Sequence, residues 1–198
     1  MIDILIPTYN RSKKLRDCID SIMKSSYTDI RIIVMPDLRR MWPVALMNEA
    51  FGMSTADVVF PISDDIVFKK DTIRNGYHSL KVMYEDDDGV VGIKQEGLDN
   101  DTGLLMIGRT FLERFPEKKA FCPSYKALYC DTEIGNFAKS LGLFVFCEDA
   151  VAIHKHPAID PKYMDETHRV CRQHLAEDIK TFERRQLDEL TWGESFTL

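Results

Sequence analysis

Val58-Val59-Phe60-Pro61-Ile62-Ser63-Asp64-Asp65 joins a short apolar run to two adjacent carboxylates. Its first five residues are apolar, which predicts a strand buried on both faces of a sheet. The two adjacent carboxylates do not suit a core, so we expect them beyond the carboxyl end of that strand, where open α/β sheets present ligands. Carboxylate oxygens suit Mg²⁺ or Mn²⁺, and a divalent ion suits a phosphorylated substrate. The alternative is an ordinary turn, because Ser and Asp side chains bond to nearby backbone.

Strands alternate with helical patterns on both sides of this stretch. Apolar runs at residues 2–6 and 30–35 predict further strands, and the apolar spacing within residues 12–23 predicts a helix between them. Such alternation predicts an α/β fold with a mostly parallel sheet covered by helices. Residues from about 165 to 190 predict one long, polar C-terminal helix with a thin apolar seam.

Composition excludes several classes of protein. The 198 residues are 44% apolar and 29% charged, which is ordinary for one globular domain with a sizeable core. A net charge of −6 argues against a broad electrostatic grip on duplex DNA. The five cysteines form no C-x-x-C pair, which predicts free thiols in a reducing compartment. No stretch resembles a leader or a membrane span, so we expect a cytoplasmic protein.

Three further clusters follow predicted strands, so one crevice could collect them all. Pro7-Thr8-Tyr9-Asn10-Arg11 offers hydrogen bonds, an aromatic face and a cation near a helix N-terminus, which fits the base and phosphate of a nucleotide. Asp37 follows the second strand and could contact a base or a ribose. A plain strand-to-helix connection and a simple turn are the respective alternatives.

The third cluster contains His154 and His156. Residues two apart in an extended chain point the same way, and Pro157 favours extended backbone at His156. The pair is therefore a candidate for binding a metal or a phosphate, although a lone histidine is more often structural. His168, Cys171 and His174 do not suggest zinc, because on a helix His174 turns away from His168. We interpret them as surface residues of a docking helix, which could also form a homo-oligomer.

In their order along the chain, these stretches resemble glycosyltransferase family 2, a family of GT-A nucleotide-sugar glycosyltransferases. The resemblance spans about residues 2–157, and these motifs carry it: residues 4–11, Asn48-Glu49-Ala50, residues 56–60, Ser63-Asp64-Asp65, Asp131-Thr132-Glu133-Ile134, Gly142 and His154. It implies a Rossmann-like GT-A catalytic domain in residues 1–160. Residues 161–198 would form a helical extension packed on that domain.

The resemblance also implies a reaction and a set of roles. The reaction is metal-dependent transfer of a sugar from a nucleoside diphosphate sugar, with a UDP-sugar favoured, to the hydroxyl of an unidentified acceptor with inversion. Asp64 and His154, joined by His156, would bind Mn²⁺ or Mg²⁺. Pro7, Tyr9 and Asp37 would surround the nucleobase, and the other predicted donor-binding residues are Thr8, Asn10, Arg11, Asn48 and Asp65.

Asp131 would act as the general base, with Glu133 as the fallback. The two are about 200° apart on an ideal helix, so both cannot face the crevice. The alternative for Asp131 is a simple helix N-cap, where the helix dipole would lower its basicity.

Two departures from the family pattern leave other functions open. Ile62 stands where the family usually has a further aspartate, and Pro36 stands where it has a paired acid. Both favour the alternative of a catalytically degenerate GT-A module that binds a nucleotide or a partner. A sugar-phosphate nucleotidyltransferase shares the fold class, but it normally has a Gly-rich loop after the first strand. Residues 7–11 contain no glycine.

Overall fold

A seven-stranded sheet forms the centre of the molecule, in a computed structural model that describes residues 1–193. The strand order across the sheet is β2-β1-β3-β6-β5-β7-β4. The strands are β1 (Ile2–Thr8), β2 (Ile30–Pro36), β3 (Val58–Pro61), β4 (Ile66–Phe68), β5 (Val90–Gln95), β6 (Leu105–Gly108) and β7 (Phe144–His154).

Strand directions make the sheet mixed. β1 pairs in parallel with β2 and β3, and β5 pairs in parallel with β7. β6 runs antiparallel to both β3 and β5, and β4 runs antiparallel to β7. Five strands therefore share one direction, as the predicted sheet requires, while β4 and β6 oppose them. The connection from β5 to β6 is too short for the crossover that a parallel neighbour needs.

Helices cover both faces of the sheet. They are α1 (Ser12–Met23), α2 (Pro43–Met53), α3 (Thr72–Met83), α4 (Arg109–Leu112), α5 (Cys130–Ser140), α6 (Glu166–Gln173) and α7 (Leu175–Leu187). Side chains of β1 alternate between two hydrophobic clusters, with Leu5 in one and Ile4 and Ile6 in the other. The first cluster includes Phe51 of α2 and the second Ile22 of α1. The predicted α/β class with a sheet covered by helices is confirmed.

The C-terminal region differs from the single long helix that the sequence predicts. The chain bends at His174 and forms the two helices α6 and α7. The buried Asp178 of α7 accepts hydrogen bonds from the backbone of Lys126, Ala127 and Leu128, so tertiary contacts set the direction of α7. The extension lies against residues 1–160, and its residues 194–198 lie outside the described part of the chain.

Two expectations about the whole chain also bear on its chemistry. All five cysteines are free thiols, as their spacing predicts, and four of them are buried. Within residues 1–193, no helix combines the length and the apolar character needed to cross a membrane.

Candidate active site

A cavity of about 290 Å³ opens beyond the carboxyl ends of β1 and β3. Its walls come from the end of β1, the turn after β3, the start of α5, the end of β7 and one side of α6. Ten of the predicted site residues line it: Pro7, Thr8, Tyr9, Arg11, Asp37, Asp64, Asp65, Asp131, His154 and His156. Strand direction explains this convergence, because strands that run the same way end at the same edge of a sheet.

Asp64 and Asp65 are both buried at the floor of this cavity, each only 2% exposed. Thr8 Oγ1 donates to Asp64 Oδ2 at 2.7 Å, and Arg11 Nη1 donates to Asp64 Oδ1 at 2.9 Å. Burial raises the pKa of Asp64, and the charge of Arg11 opposes that rise. The segment does form a turn, as the alternative interpretation held, but its carboxylates face the cavity.

Asp65 contacts more partners than Asp64. Its Oδ2 lies 3.2 Å from Arg11 Nη1 and 3.1 Å from His168 Nε2, and its Oδ1 lies 3.3 Å from His154 Nε2. Burial alone would raise the pKa of Asp65, but the bonds from both histidines and the charge of Arg11 hold it well below its usual range. Asp65 is therefore an ionised carboxylate at the centre of an ionic cluster.

A short strand that the sequence analysis did not identify places His154 beside Asp65. β4 begins directly after Asp65 and pairs with the end of β7, with Ile66 opposite His154. His154 Nδ1 lies 2.6 Å from Oε1 of Gln95, so both ring nitrogens have partners. The His156 ring lies 4.9 Å from that of His154, and burial with the nearby histidines lowers the pKa of His156 to about 4.

The first turn of α6 supplies functional residues that sequence reasoning missed. Asp165 is the N-cap of α6, and its carboxylate accepts bonds from Arg11 Nη2 at 2.8 Å and from the His168 backbone at 3.0 Å. Lys14 Nζ lies 2.7 Å from its second oxygen. Bonds from Arg11 and Lys14 outweigh burial and hold the pKa of Asp165 well below its usual range.

The interpretation of the α6 histidines as surface residues is wrong. His168 is only 8% exposed, and its ring nitrogens face Asp65 and Asp165. His174 packs edge-on against Trp42, with 4.4 Å between ring centroids. Cys171 lines the cavity. Asp165 stands three residues before His168, which is the spacing of a helix N-cap and the residue whose backbone it caps. This pattern in the sequence could have placed Asp165 and His168 together in the first turn of a helix.

Asp131 lies in the first turn of α5 and lines the cavity. It is not the N-cap, because that position belongs to Tyr129. Among residues 1–193, the hydrogen bonds to its carboxylate come from the adjacent Thr132, whose backbone N–H lies 2.8 Å away. Burial raises the pKa of Asp131 and outweighs the backbone hydrogen bonds that would lower it. The geometry leaves Asp131 able to accept a proton.

Glu133 is contradicted as the fallback base. Its carboxylate accepts from the Tyr125 hydroxyl at 2.6 Å, from Arg185 Nη2 at 2.7 Å and from the Trp192 backbone at 3.0 Å. Both members of the Glu133–Arg185 pair are about nine-tenths buried. Glu133 lies outside the cavity lining, so its charge serves to hold α7 and the chain near Trp192 against α5.

Two predicted donor-binding residues lie away from the cavity. The Asn48 side chain is buried and exchanges two hydrogen bonds with the backbone of Phe121, which satisfies its amide. Asn10 is exposed, in the left-handed region at φ 53°, and does not line the cavity. Asn10 forms the bend between β1 and α1, and a donor-binding role for either residue stays a prediction.

Asp37 lines the cavity and also stabilises a turn, so both interpretations of this residue hold in part. Its carboxylate accepts from the backbone of Met41 at 2.8 Å and of Trp42 at 3.2 Å, which shapes the loop before α2. Arg40 in this loop donates to the Tyr9 hydroxyl, with its guanidinium 5.1 Å from the centroid of the Tyr9 ring. The aromatic face predicted at Tyr9 therefore has a cation on one side.

The predicted metal ligands do not converge. Both oxygens of Asp64 and both ring nitrogens of His154 have protein partners. Arg11 Nη1 contacts both Asp64 and Asp65. Across the described residues, no group of three His, Cys, Asp or Glu side chains could hold a metal ion. As arranged, Asp64, His154 and His156 do not fit the predicted ion.

The model of the family "Glycosyl transferase family 2" matches residues 3–40. None of the curated proteins matches the sequence.

Solved structures with a similar fold include a mannosyltransferase and a galactosyltransferase. Mannosyltransferase PcManGT from Pyrobaculum calidifontis, in complex with GDP-Man and Mn²⁺, has a TM-score of 0.64 and 16% identity over 92% of this chain and 64% of its own. A TarS fragment from S. aureus has a TM-score of 0.60 and 13% identity over 84% of this chain and 67% of its own. A Drosophila β1,4-galactosyltransferase 7, in complex with manganese, UDP-Gal and xylobiose, has a TM-score of 0.57 and 15% identity over 75% and 65%.

These three matches cover about two thirds of each neighbour's length. They confirm the predicted GT-A fold and the predicted resemblance. The chain has the fold of the GT-A glycosyltransferases and carries the glycosyltransferase family 2 pattern in residues 3–40.

Proposed function

We propose that this protein is a glycosyltransferase that moves a sugar from a nucleoside diphosphate sugar to an acceptor hydroxyl. One observation carries the proposal: Asp131, half-buried and without a charged partner among its hydrogen bonds, lines the same cavity as Tyr9 and Asp37. A base and a nucleotide-binding edge in one cavity are what such a transfer needs. The GT-A fold and the family pattern in residues 3–40 support it.

The donor occupies the side of the cavity formed by the end of β1 and the loop after β2. Pro7, Tyr9 and Asp37 line that side and surround the base. Tyr9 offers its ring for stacking, which is tolerant of base identity. We favour a UDP-sugar. PcManGT is described with GDP-Man and the galactosyltransferase with UDP-Gal, so both uridine and guanosine donors belong in the test.

The reaction is a single displacement with inversion. The acceptor oxygen forms a bond to the anomeric carbon as the bond from that carbon to the diphosphate oxygen breaks. The acceptor proton passes to the carboxylate of Asp131, and the electron pair of the broken bond leaves with the nucleoside diphosphate. The raised pKa of Asp131 makes it a stronger base than an ordinary aspartate.

The predicted Mn²⁺ or Mg²⁺ would, if bound, neutralise charge on the leaving diphosphate. PcManGT and the galactosyltransferase are both described with manganese. Because Asp64, His154 and His156 do not fit an ion as they are arranged, we derive no step through one. The cytoplasm stays our proposed location, in keeping with five free thiols.

The test is release of nucleoside diphosphate from a panel of UDP- and GDP-sugars, with water as the acceptor. We expect turnover of one donor class, and we expect Asp131→Asn to lower kcat by about 100-fold or more with nucleotide binding unchanged. Asp101→Asn is the matched control, because Asp101 is an aspartate paired with Lys139 at the surface. Equal activity of wild type and Asp131→Asn would contradict the assigned base.

A degenerate nucleotide-binding module is the second candidate, and specific observations favour it. The carboxylates of Asp64 and Asp65 are engaged by protein groups, and Ile62 is a buried apolar residue where the family usually has an aspartate. Nucleotide binding without turnover of any donor would select this candidate. Among residues 1–193 we find no feature that favours the nucleotidyltransferase.

A further inference from the structure

Arg11 occupies an unusual place between the two adjacent carboxylates. Its Nη1 lies 2.9 Å from Asp64 Oδ1 and 3.2 Å from Asp65 Oδ2, and its Nη2 lies 2.8 Å from Asp165 Oδ1. The Arg11 side chain is 9% exposed, and those of Asp64 and Asp65 are 3% and 1% exposed. One buried guanidinium thus bridges three carboxylates from two distant parts of the chain, residues 64–65 and residue 165.

We propose that the Arg11 guanidinium takes the place of the divalent cation at this acidic site. The site then takes up no divalent ion, and it binds its nucleotide ligand without one. The identity of that ligand rests on the proposed function, but the exclusion of the ion does not.

First, a divalent ion at this site would compete with Arg11 and Thr8 for the carboxylate oxygens of Asp64. Mg²⁺ needs near-octahedral oxygen ligation and Mn²⁺ prefers similar ligands. Both oxygens of Asp64 already accept hydrogen bonds, from Thr8 and Arg11. Ile62, the residue two before Asp64, is buried in the hydrophobic core and offers no oxygen. An ion at this pair would have to displace Arg11 to find even two carboxylate ligands.

Charge is the second argument. A guanidinium stays protonated at every accessible pH, so Arg11 cannot make room for a cation by losing its charge. Burial would lower the pKa of Arg11, but the hydrogen bond that it donates to Asp165 and the charges of Asp65 and Asp64 raise that pKa above its usual value. A divalent ion between Asp64 and Asp65 would sit within contact distance of this permanent charge, with little solvent to screen it.

The remaining hydrogen-bonding capacity of Arg11 is the third argument. Its two terminal nitrogens contact Asp64, Asp65, Asp165 and His168, but its Nε is buried without a partner among the described residues. Buried donors are normally satisfied, and each exception calls for an explanation. Arg11 also lines the cavity, so an anionic ligand there is a suitable acceptor for this donor.

The direct test is titration of Mn²⁺ into the protein, with free Mn²⁺ followed by its electron paramagnetic resonance signal. We expect wild type to show no saturable binding of one ion per chain, with or without UDP or GDP. We expect Arg11→Met, which frees Asp64 and Asp65, to gain saturable binding that Asp64→Asn then removes. Arg31→Met is the matched control, because Arg31 also pairs with a buried aspartate, Asp3, near the start of β1 and therefore at the opposite end of that strand from the cavity.

Each result decides the inference. Saturable Mn²⁺ binding by wild type would overturn it, as would an Arg11→Met protein that binds no more Mn²⁺ than Arg31→Met. The wild-type titration stands without the variant, should Arg11→Met fail to fold.

Nucleotide affinity provides a second readout that separates this inference from the proposed function. We expect the Kd of the nucleoside diphosphate to be the same in EDTA as in Mn²⁺. A loss of affinity in EDTA of about tenfold or more would overturn the inference. If no nucleotide binds under either condition, the proposed function fails, and the Mn²⁺ titration still decides the inference.

Discussion

At the scale of single residues, Asp131 and Glu133 show how environment assigns different roles to two carboxylates of one helix. Glu133 is buried with Arg185 and Tyr125, so its charge is used within the protein. Asp131 is half-buried at the cavity without a charged partner among its hydrogen bonds, and its pKa is raised. These facts lead to one prediction for each residue.

The pH dependence of donor turnover should report the raised pKa of Asp131. Only the ionised carboxylate can accept a proton, so kcat/KM should fall as the pH drops through that pKa, above the value of about 3.9 for an ordinary aspartate. The residual rate of Asp131→Asn should lack this acidic limb. A pH–rate profile of both proteins is the measurement, and an identical acidic limb in the two would contradict the prediction.

Glu133→Gln should lower stability without removing the base. The substitution leaves the buried Arg185 without its counter-charge, and breaking a buried pair costs about 3 kcal/mol. Urea unfolding measures the free energy, and nucleotide binding should be unchanged in the folded protein at low temperature. Glu117→Gln, at a surface glutamate, is the control. A stable Glu133→Gln protein that has lost donor turnover would contradict the structural role.

Sequence reasoning succeeded for residues placed by strand direction and failed for residues whose partners are remote. Tyr9, Asp64 and Asp131 follow strands or begin a helix at one edge of the sheet, and this edge is predictable from the pattern. Asn48 forms a hydrogen bond with the backbone of Phe121, and Glu133 forms an ion pair with Arg185. No local sequence pattern predicts pairs that are so far apart in the chain. The sequence does not distinguish a polar side chain that is hydrogen-bonded within the protein from one that is available to a ligand.

At the scale of elements, the central strands and most helices were predictable from apolar spacing, while two features were not. β4 has only three residues, Ile66–Phe68, too few to show a period, yet it sets His154 beside Asp65. The bend at His174 has no glycine or proline to mark it. Packing decides both features, since β4 needs β7 as its partner and the direction of α7 depends on Asp178.

Asp3 joins β1 to two neighbouring segments, and this contact should depend on pH. Its carboxylate accepts from Arg31 Nη2 at 2.6 Å, from Ser54 Oγ at 2.7 Å and from the backbone of Ala56 at 3.2 Å. Burial would raise the pKa of Asp3, but these hydrogen bonds lower it overall. The contact therefore stabilises the fold above the unfolded pKa of about 3.9, and this stability is lost as the pH falls through the lower folded value.

Asp3→Asn should cost about 2 kcal/mol at neutral pH, and the difference from wild type should shrink as the pH falls below about 4. Urea unfolding of both proteins at several pH values is the measurement. Asp20→Asn, at an exposed aspartate of α1, is the control. A difference that stays constant down to low pH would show that the charge of Asp3 is not the stabilising feature.

At the scale of the whole molecule, the C-terminal helices complete the site rather than merely dock on it. α6 brings Asp165 and His168 to the ionic cluster, and α7 holds the chain before α5 through Asp178. The apolar seam on these helices packs inward, with Phe182 stacked on Tyr129 at 5.1 Å between ring centroids. A homo-oligomer formed through this region stays a prediction.

Asp178→Asn should lower both the unfolding free energy and kcat, because Asp178 links α7 to the wall of the cavity. Asp178 is fully buried and accepts three backbone hydrogen bonds from residues 126–128, of which Ala127 and Leu128 line part of the cavity. We expect a loss of about 2 kcal/mol in unfolding free energy and a lower kcat, although Asp178 does not line the cavity. Thermal unfolding and donor turnover measure the two effects. Unchanged kcat would contradict the coupling, and Glu177→Gln, at an exposed neighbour, is the control.

We propose that the cavity beyond β1 and β3 binds the nucleotide part of a sugar donor, and calorimetric titration of the wild-type protein with UDP and then with GDP measures this binding. We expect one of the two nucleotides to bind at one site per chain, and we expect Tyr9→Ala to weaken this binding by about fivefold or more, through loss of base stacking. If neither nucleotide binds, with or without Mn²⁺, the cavity is not a nucleotide site.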